Sequence, residues 1–78
     1  MPIQVLFFGA TADAAGRRQL NLGTETVTLT TLVASVIREH PKLAQHKLQF
    51  AINQEHAAGD ETIRDGDEVA IFTPVSGG

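Results

Sequence analysis

The sequence predicts an α+β domain in which one main helix packs on one face of a mixed sheet. Three observations predict it. Apolar runs stand near both ends of the chain, Val5-Leu6-Phe7-Phe8 and Val69-Ala70-Ile71-Phe72; a single helical stripe runs from Leu29 to Ile37; and shorter alternating segments lie between.

The first run carries β-branched and aromatic residues over Ile3 to Phe8 with no polar alternation beyond Gln4, which predicts a central strand buried largely on both faces. Ala10 to Gly16 is rich in alanine and ends in glycine, so a short helical turn is expected there, stopped by a residue that tolerates positive φ. A second strand is expected over Gln19 to Leu22, with Leu20 and Leu22 facing inward and Gly23 in the following turn.

From Thr28 the period changes. Leu29, Leu32, Val33, Val36 and Ile37 fall at helical spacing on one face, Thr28 is placed to cap the first turn, and Pro41 disfavours helical geometry in His40 before it. Leu48, Phe50 and Ile52 alternate as a third strand that ends at a hairpin turn, Asn53-Gln54. Asp65-Gly66 then predicts a turn into the last strand, Val69 to Phe72. The two strongly apolar strands are expected side by side in the middle of the sheet. The tail, residues 73–78, therefore leaves the sheet at one end of this single domain, 1–78.

Composition narrows the function. A chain of 78 residues hides only about 60% of its unfolded surface on folding, which leaves little room for an enclosed active-site cleft. The net charge of −3 carries no basic footprint for a phosphate backbone, so nucleic acid is not an expected partner. Cysteine is absent, which excludes disulfides, thiolate metal sites and a thiol nucleophile of the chain's own. No Lys or Arg precedes Val5-Leu6-Phe7-Phe8 and no apolar run approaches the roughly 20 residues of a membrane span. The expected location is cytoplasmic, with no membrane partner.

The tail Thr73-Pro74-Val75-Ser76-Gly77-Gly78 has no apolar period and reads as an extended arm. Pro74 fixes φ, Val75 prefers extended backbone, and Gly77 and Gly78 lack the Cβ that would crowd an enzyme's approach to the last carbonyl. A terminal carboxylate, with a pKa near about 3.5, is ionised at neutral pH and can attack the α-phosphate of ATP, yet is itself a poor electrophile. Adenylation would make it reactive, and an activated glycine cannot racemise. The plain alternative is a frayed terminus of no function.

The stretch Asp65-Gly66-Asp67-Glu68-Val69-Ala70-Ile71-Phe72-Thr73-Pro74-Val75-Ser76-Gly77-Gly78 resembles the small subunit of molybdopterin synthase. Val5-Leu6-Phe7-Phe8 followed by Ala14-Ala15-Gly16, the Thr28-to-Pro41 helix and Ala51-Ile52-Asn53 resemble that family in the same order, so nearly the whole chain is covered. The resemblance implies a ubiquitin-like β-grasp fold and a life as a sulfur carrier. An E1-like enzyme would adenylate Gly78, and a persulfide sulfur donor would convert it to a thiocarboxylate. The tail would then enter the large subunit of the synthase, in a heterotetramer, and sulfur would pass to a pyranopterin precursor of the molybdenum cofactor. Phe72, Pro74, Val75 and Ser76, with Phe7, are the expected contacts with that large subunit.

The carrier would bind no cofactor of its own, ATP being held by the activating enzyme, and the large subunit would supply most catalytic groups. The sequence departs from the family at Ala10-Thr11-Ala12, where basic residues are common, and at Thr73, where a second proline is common. A thiamine-type sulfur carrier, or a ubiquitin-like modifier joined to lysines through Gly78, would share the fold and the glycine pair.

Other candidate sites are weaker. Six of the nine acidic residues, Glu55, Asp60, Glu61, Asp65, Asp67 and Glu68, crowd one late stretch that either steers a basic partner or is a solvated loop. Asp65 and Asp67 lack the remaining ligands of a calcium loop. His40, His46 and His56 have no metal-like spacing, and no phosphate-binding glycine fingerprint is present. Phe7, Phe8 and Phe72 read as core, although so small a domain can leave one sheet face open to a partner.

Overall fold

The structure is a computed structural model that describes residues 1–23, 25–57 and 59–74. In chain order these form β1 (Gln4–Phe7), α1 (Ala10–Ala15), β2 (Gln19–Asn21), β3 (Val27–Thr28), α2 (Leu29–Glu39), a 3₁₀ turn over Pro41–Gln45, β4 (Gln49–Ile52), β5 (Glu55–His56), β6 (Thr62–Ile63) and β7 (Glu68–Phe72). Among the described residues, five strands make one sheet in the order β2-β1-β7-β4-β5, and β3 pairs with β6 beside it.

The two apolar strands lie at the centre, as their composition predicts. β1 and β7 are parallel, with Val5 opposite Val69 and Phe7 opposite Ile71, while β2, β4 and β5 add on antiparallel. A parallel central pair needs a crossover, and α2 supplies it by packing on one face of the sheet, which is the β-grasp arrangement that the resemblance implies.

The stripe on α2 does what its spacing requires: Leu29, Leu32 and Val36 are buried and Val33 and Ile37 pack half-buried beside them. They meet Ile3, Val5, Phe7, Leu43, Ile63, Val69 and Ile71, all at most 2% exposed. Burying each such side chain contributes about 1.5–3 kcal/mol, so this single layer of contacts holds the domain. Thr28 caps α2, its hydroxyl accepting the Thr31 N–H at 3.3 Å, and Asp60 Oδ1 takes the Thr30 N–H at 2.7 Å. The helix stops at Glu39, before His40 and Pro41.

Both turn residues of the β4–β5 hairpin have positive φ, 51° at Asn53 and 71° at Gln54, as a two-residue hairpin of the tight mirror-image kind demands. Gly16 ends α1 in the left-handed region at φ 73°, its N–H donating to the Ala12 carbonyl at 2.9 Å.

Three expectations change. β1 is buried on one face only: Val5 and Phe7 are enclosed, whereas Leu6 is half-buried and Phe8 is 51% exposed, because the single helical layer covers just one side of the sheet. Thr28, expected as a helix cap, also ends a two-residue strand that begins at Val27. The strand edges also shift, β2 ending at Asn21 and β4 starting at Gln49, while Leu22 still bonds back to the Ile3 carbonyl at 2.8 Å.

Candidate functional site

β7 sets the geometry of the site. It is the central strand that the chain leaves at Phe72, so its C-terminal end is the root of the tail, and Phe72, Thr73 and Pro74 are all half-buried there. Val75, Ser76, Gly77 and Gly78 lie outside the described residues.

Strand alternation sorts the side chains of the sheet by register. Val5, Phe7, Val69, Ile71, Phe50 and Ile52 share the face under α2. The other face carries Leu6 opposite Ala70, Ala70 opposite Ala51 and Phe72 opposite Gln49, with Gln19 beside Leu6. Phe8, one residue past β1, falls on the same side by alternation, and its N–H reaches the Ile71 carbonyl at 3.1 Å. His56 borders this face, its ring meeting that of Phe72 edge-on at 6.4 Å between centroids. Leu6, Phe8, Ala70 and Phe72 thus form an apolar strip that leads to the root of the tail.

Phe7 is not a contact residue. It is 2% exposed, points under α2 and stacks at a tilt against His40 with 6.1 Å between centroids, so no partner can reach it while the domain is folded. Phe8 stands exposed in its place. A run of three large apolar residues, Leu6-Phe7-Phe8, has no internal phase, and only the pairing of β1 with β7 says which of them faces outward.

Charge is divided between the two ends of β7. Asp65, Asp67 and Glu68 sit where the strand begins, and Glu55 is carried to that end by its pairing with Ile52, itself opposite Val69. The tail root lies at the other end, five residues of strand or about 16 Å away at the usual rise per residue. There the exposed Arg17 and Arg18 lead into β2, Arg18 accepting the Phe7 N–H at 2.9 Å through its carbonyl, and the exposed Lys47 precedes β4. Asp65, Asp67, Glu68 and Glu55 therefore lie at the end of β7 opposite Phe72.

At the acidic end the carboxyl of Asp67 is held below the usual aspartate range. The main cause is the hydrogen bond it accepts from the Arg64 backbone N–H, followed by that from the Asn53 side chain. These bonds tie down a turn; no group of three or more His, Cys, Asp or Glu side chains able to hold a metal occurs among the described residues. Among them also, no helix is long and apolar enough to cross a membrane.

Comparison with known proteins agrees with this fold. The ThiS family profile matches residues 5–78. The chain is 39% identical over 84 aligned positions to the molybdopterin synthase sulfur carrier subunit of Chlamydomonas reinhardtii, with all of each chain covered. Among solved structures it is similar to SAMP1 from Haloferax volcanii, with a TM-score of 0.82, 27% identity and both chains covered in full. It also shares the fold of a chain in the complex of subunits 1 and 2 of the molybdopterin-converting factor from Helicobacter pylori, with a TM-score of 0.73, 23% identity and 100% of each chain covered.

Proposed function

Since the chain belongs to the ThiS family, we propose that it is a sulfur carrier that works through the carboxylate of Gly78, as the small subunit of a molybdopterin synthase. One observation carries the reading beyond the family. The open face of the sheet presents Leu6, Phe8, Ala70 and Phe72 as an apolar strip that ends where the chain departs toward its two terminal glycines. A strip of this kind, exposed at Phe8 and half-buried at Leu6, Ala70 and Phe72, fits a protein partner that takes up both the face and the arm.

The chemistry follows from the carboxylate. One of its oxygens attacks the α-phosphate of ATP held by an E1-like enzyme, pyrophosphate leaves, and an acyl adenylate results. The terminal sulfur of a persulfide on a donor protein then attacks the carbonyl and displaces AMP. A thiol cleaves the S–S bond of the acyl disulfide so formed, and Gly78 is left as a thiocarboxylate. In the large subunit that sulfur attacks a carbon of the pyranopterin precursor and displaces the oxygen bonded there, and water cleaves the resulting thioester, which returns the carboxylate and leaves the sulfur on the precursor as a thiol. This chain supplies the sulfur and the reach, while the ATP site and the catalytic groups belong to its partners. The need for ATP fits work in the cytoplasm.

The partner surface is assigned to Phe8, Leu6 and Phe72 on the sheet and to Pro74, Val75 and Ser76 on the arm. The Helicobacter pylori complex supports a large-subunit partner by shared fold. Incubation with an E1-like enzyme, ATP and a persulfide donor is expected to exchange one terminal oxygen for sulfur, read by intact mass. An unchanged mass in the presence of a working activating system overturns the reading.

Similarity to SAMP1, a small archaeal modifier protein, favours one second reading, conjugation through Gly78 to lysines of other proteins. Conjugates of higher mass that survive denaturation and thiol would select it. Co-purification with a thiamine-pathway partner in place of a synthase large subunit would select a thiamine-type carrier.

A further inference from the structure

Thr11 is fully buried, the buried polar side chain among the described residues, and it sits where β1 and β7 part company. Its Oγ1 lies 2.7 Å from the Phe8 carbonyl oxygen and 2.8 Å from the Ile71 carbonyl oxygen, and it accepts the Phe8 N–H at 2.9 Å. A hydroxyl has one proton to give and two lone pairs to receive with, so the proton is shared between two carbonyls while the Phe8 amide is held in return. The Phe8 N–H also reaches Ile71 O at 3.1 Å, the last backbone bond between the two central strands.

Beyond this point the strands diverge. Gly9, at φ 59°, turns one chain aside into α1, while the other continues through Phe72 to Pro74 as the root of the arm. Filling a buried site of this size needs only a valine, and burying a hydroxyl is costly unless it is bonded. The oxygen therefore has a task that packing does not explain, and its partners say what the task is: it closes the fork.

We propose that Thr11 is a positioning residue for the arm, its hydroxyl holding the Ile71 carbonyl so that the chain leaves the domain at one fixed point and in one direction. The proposal rests on the carrier reading, because it matters only if Gly78 must arrive in a partner's site. Six residues follow Phe72, and at most ~3.6 Å each gives the arm a reach of about 20 Å. Ile71 and Phe72 stay paired with Phe50 and Gln49 of β4, so without the hydroxyl it is the β1 side of the fork that loosens, the direction in which Thr73 and Pro74 leave is less closely set, and the effective concentration of Gly78 at the partner's site falls. Thr11 touches no reacting atom, so the chemistry of a seated arm is unchanged.

The test compares wild type, Thr11→Val and Thr11→Ser, each loaded with sulfur, in transfer to the pyranopterin precursor by the synthase large subunit. Thr11→Val is expected to raise the KM for the carrier about three- to tenfold with kcat within about twofold, and Thr11→Ser, which keeps the hydroxyl, to restore KM. A Thr11→Val chain with wild-type KM, or a Thr11→Ser chain as poor as Thr11→Val, overturns the proposal. Should Thr11→Val not fold, Thr11→Ala is measured in its place. Hydrogen exchange on the wild type needs no variant: the Phe8 amide is expected to exchange as slowly as core amides of β7, and rapid exchange there overturns the latch. A wild-type chain that takes up no sulfur overturns the carrier reading instead, and the Phe8 amide still reports on the fork.

Discussion

The side chains of Asn53 and Asp67, fourteen positions apart, are joined at 3.0 Å, amide to carboxylate, at the end of the sheet opposite the tail. The same carboxylate accepts the Arg64 N–H at 2.8 Å through its other oxygen, and Asn53 Oδ1 accepts the Glu68 N–H at 3.0 Å. Asn53 is thus both the first positive-φ residue of the hairpin and the brace that fixes it to the start of β7. The pair sets the register of β4 against β7, and with it the line of the strand that ends in the arm.

These bonds favour the ionised form of Asp67 and give a pH dependence with a definite sign. A carboxylate held below its ordinary value of 3.8 contributes stability that is present above that value and lost as pH falls through the lower native value. Asp67→Asn is expected to be less stable than wild type at pH 7 and to approach it as pH drops below about 3.8, because the wild-type advantage disappears on protonation. Urea denaturation at a series of pH values checks this, and a constant difference down to the acid range contradicts it.

The assignment of Phe7 to the core and Phe8 to the open face predicts opposite outcomes for the same truncation. Phe7→Ala removes a ring that is 2% exposed and is expected to cost about 3–5 kcal/mol, much of the stability of so small a domain. Phe8→Ala removes one that is 51% exposed and should change stability by no more than about 0.5 kcal/mol while weakening binding of the large subunit by about tenfold or more. Denaturant midpoints and calorimetric titration separate the two. If Phe8→Ala were the more destabilised of the two, the facing of β1 would be reversed.

Much of this fold was legible because α2 announces itself: five apolar residues at helical spacing, a capping Thr28 and Pro41 just beyond His40. The central place of β1 and β7 followed from their apolar content, and Asp65-Gly66 marked its turn, Gly66 standing at φ 81°. What stayed hidden depends on partners distant in sequence. Leu6-Phe7-Phe8 is apolar throughout, so its facing is decided by Ile71 and Ala70, some sixty residues on. β3 and β6 have two residues each, too few to carry a period. Thr11 sits in an alanine-rich segment that reads as a plain helical turn, and its meaning lies in the Ile71 carbonyl 60 positions away. Of the candidate site, the departure of the chain from β7 at Phe72 was readable from composition, Val75 to Gly78 lie outside the described residues, and the apolar strip beside Phe72 required register.

The cap of α2 is a smaller and more local prediction. Thr28→Ala removes the acceptor of the Thr31 N–H and also a hydroxyl bonded at 2.9 Å to that of Thr31, and should cost about 0.5–2 kcal/mol. Thr28→Ser or Thr28→Asp is expected to recover most of the loss, since either keeps an oxygen at the same place. Thermal unfolding of the three variants is the measurement. An unchanged midpoint in Thr28→Ala would mean that Asp60, which takes the Thr30 N–H, caps the helix unaided.

Removal of Gly78 separates folding from function most sharply. Among the described residues the core runs from Ile3 to Ile71 and is complete before the arm begins, so the shortened chain is expected to unfold at the wild-type midpoint within about 0.5 kcal/mol. Its new terminus, Gly77, is as slim as the old one but stops one residue short, by at most about 3.6 Å, of the place an adenylating enzyme aligns with the α-phosphate of ATP. A misplacement of this size at a reacting centre costs on the order of a hundredfold or more, and sulfur uptake by intact mass should be undetectable under conditions that load the wild type fully. Replacing Gly78 by Ala keeps the length and adds one methyl group, and is expected to load at a reduced rate. Equal loading of all three chains would show that the reactive carbonyl is not at the end of this arm.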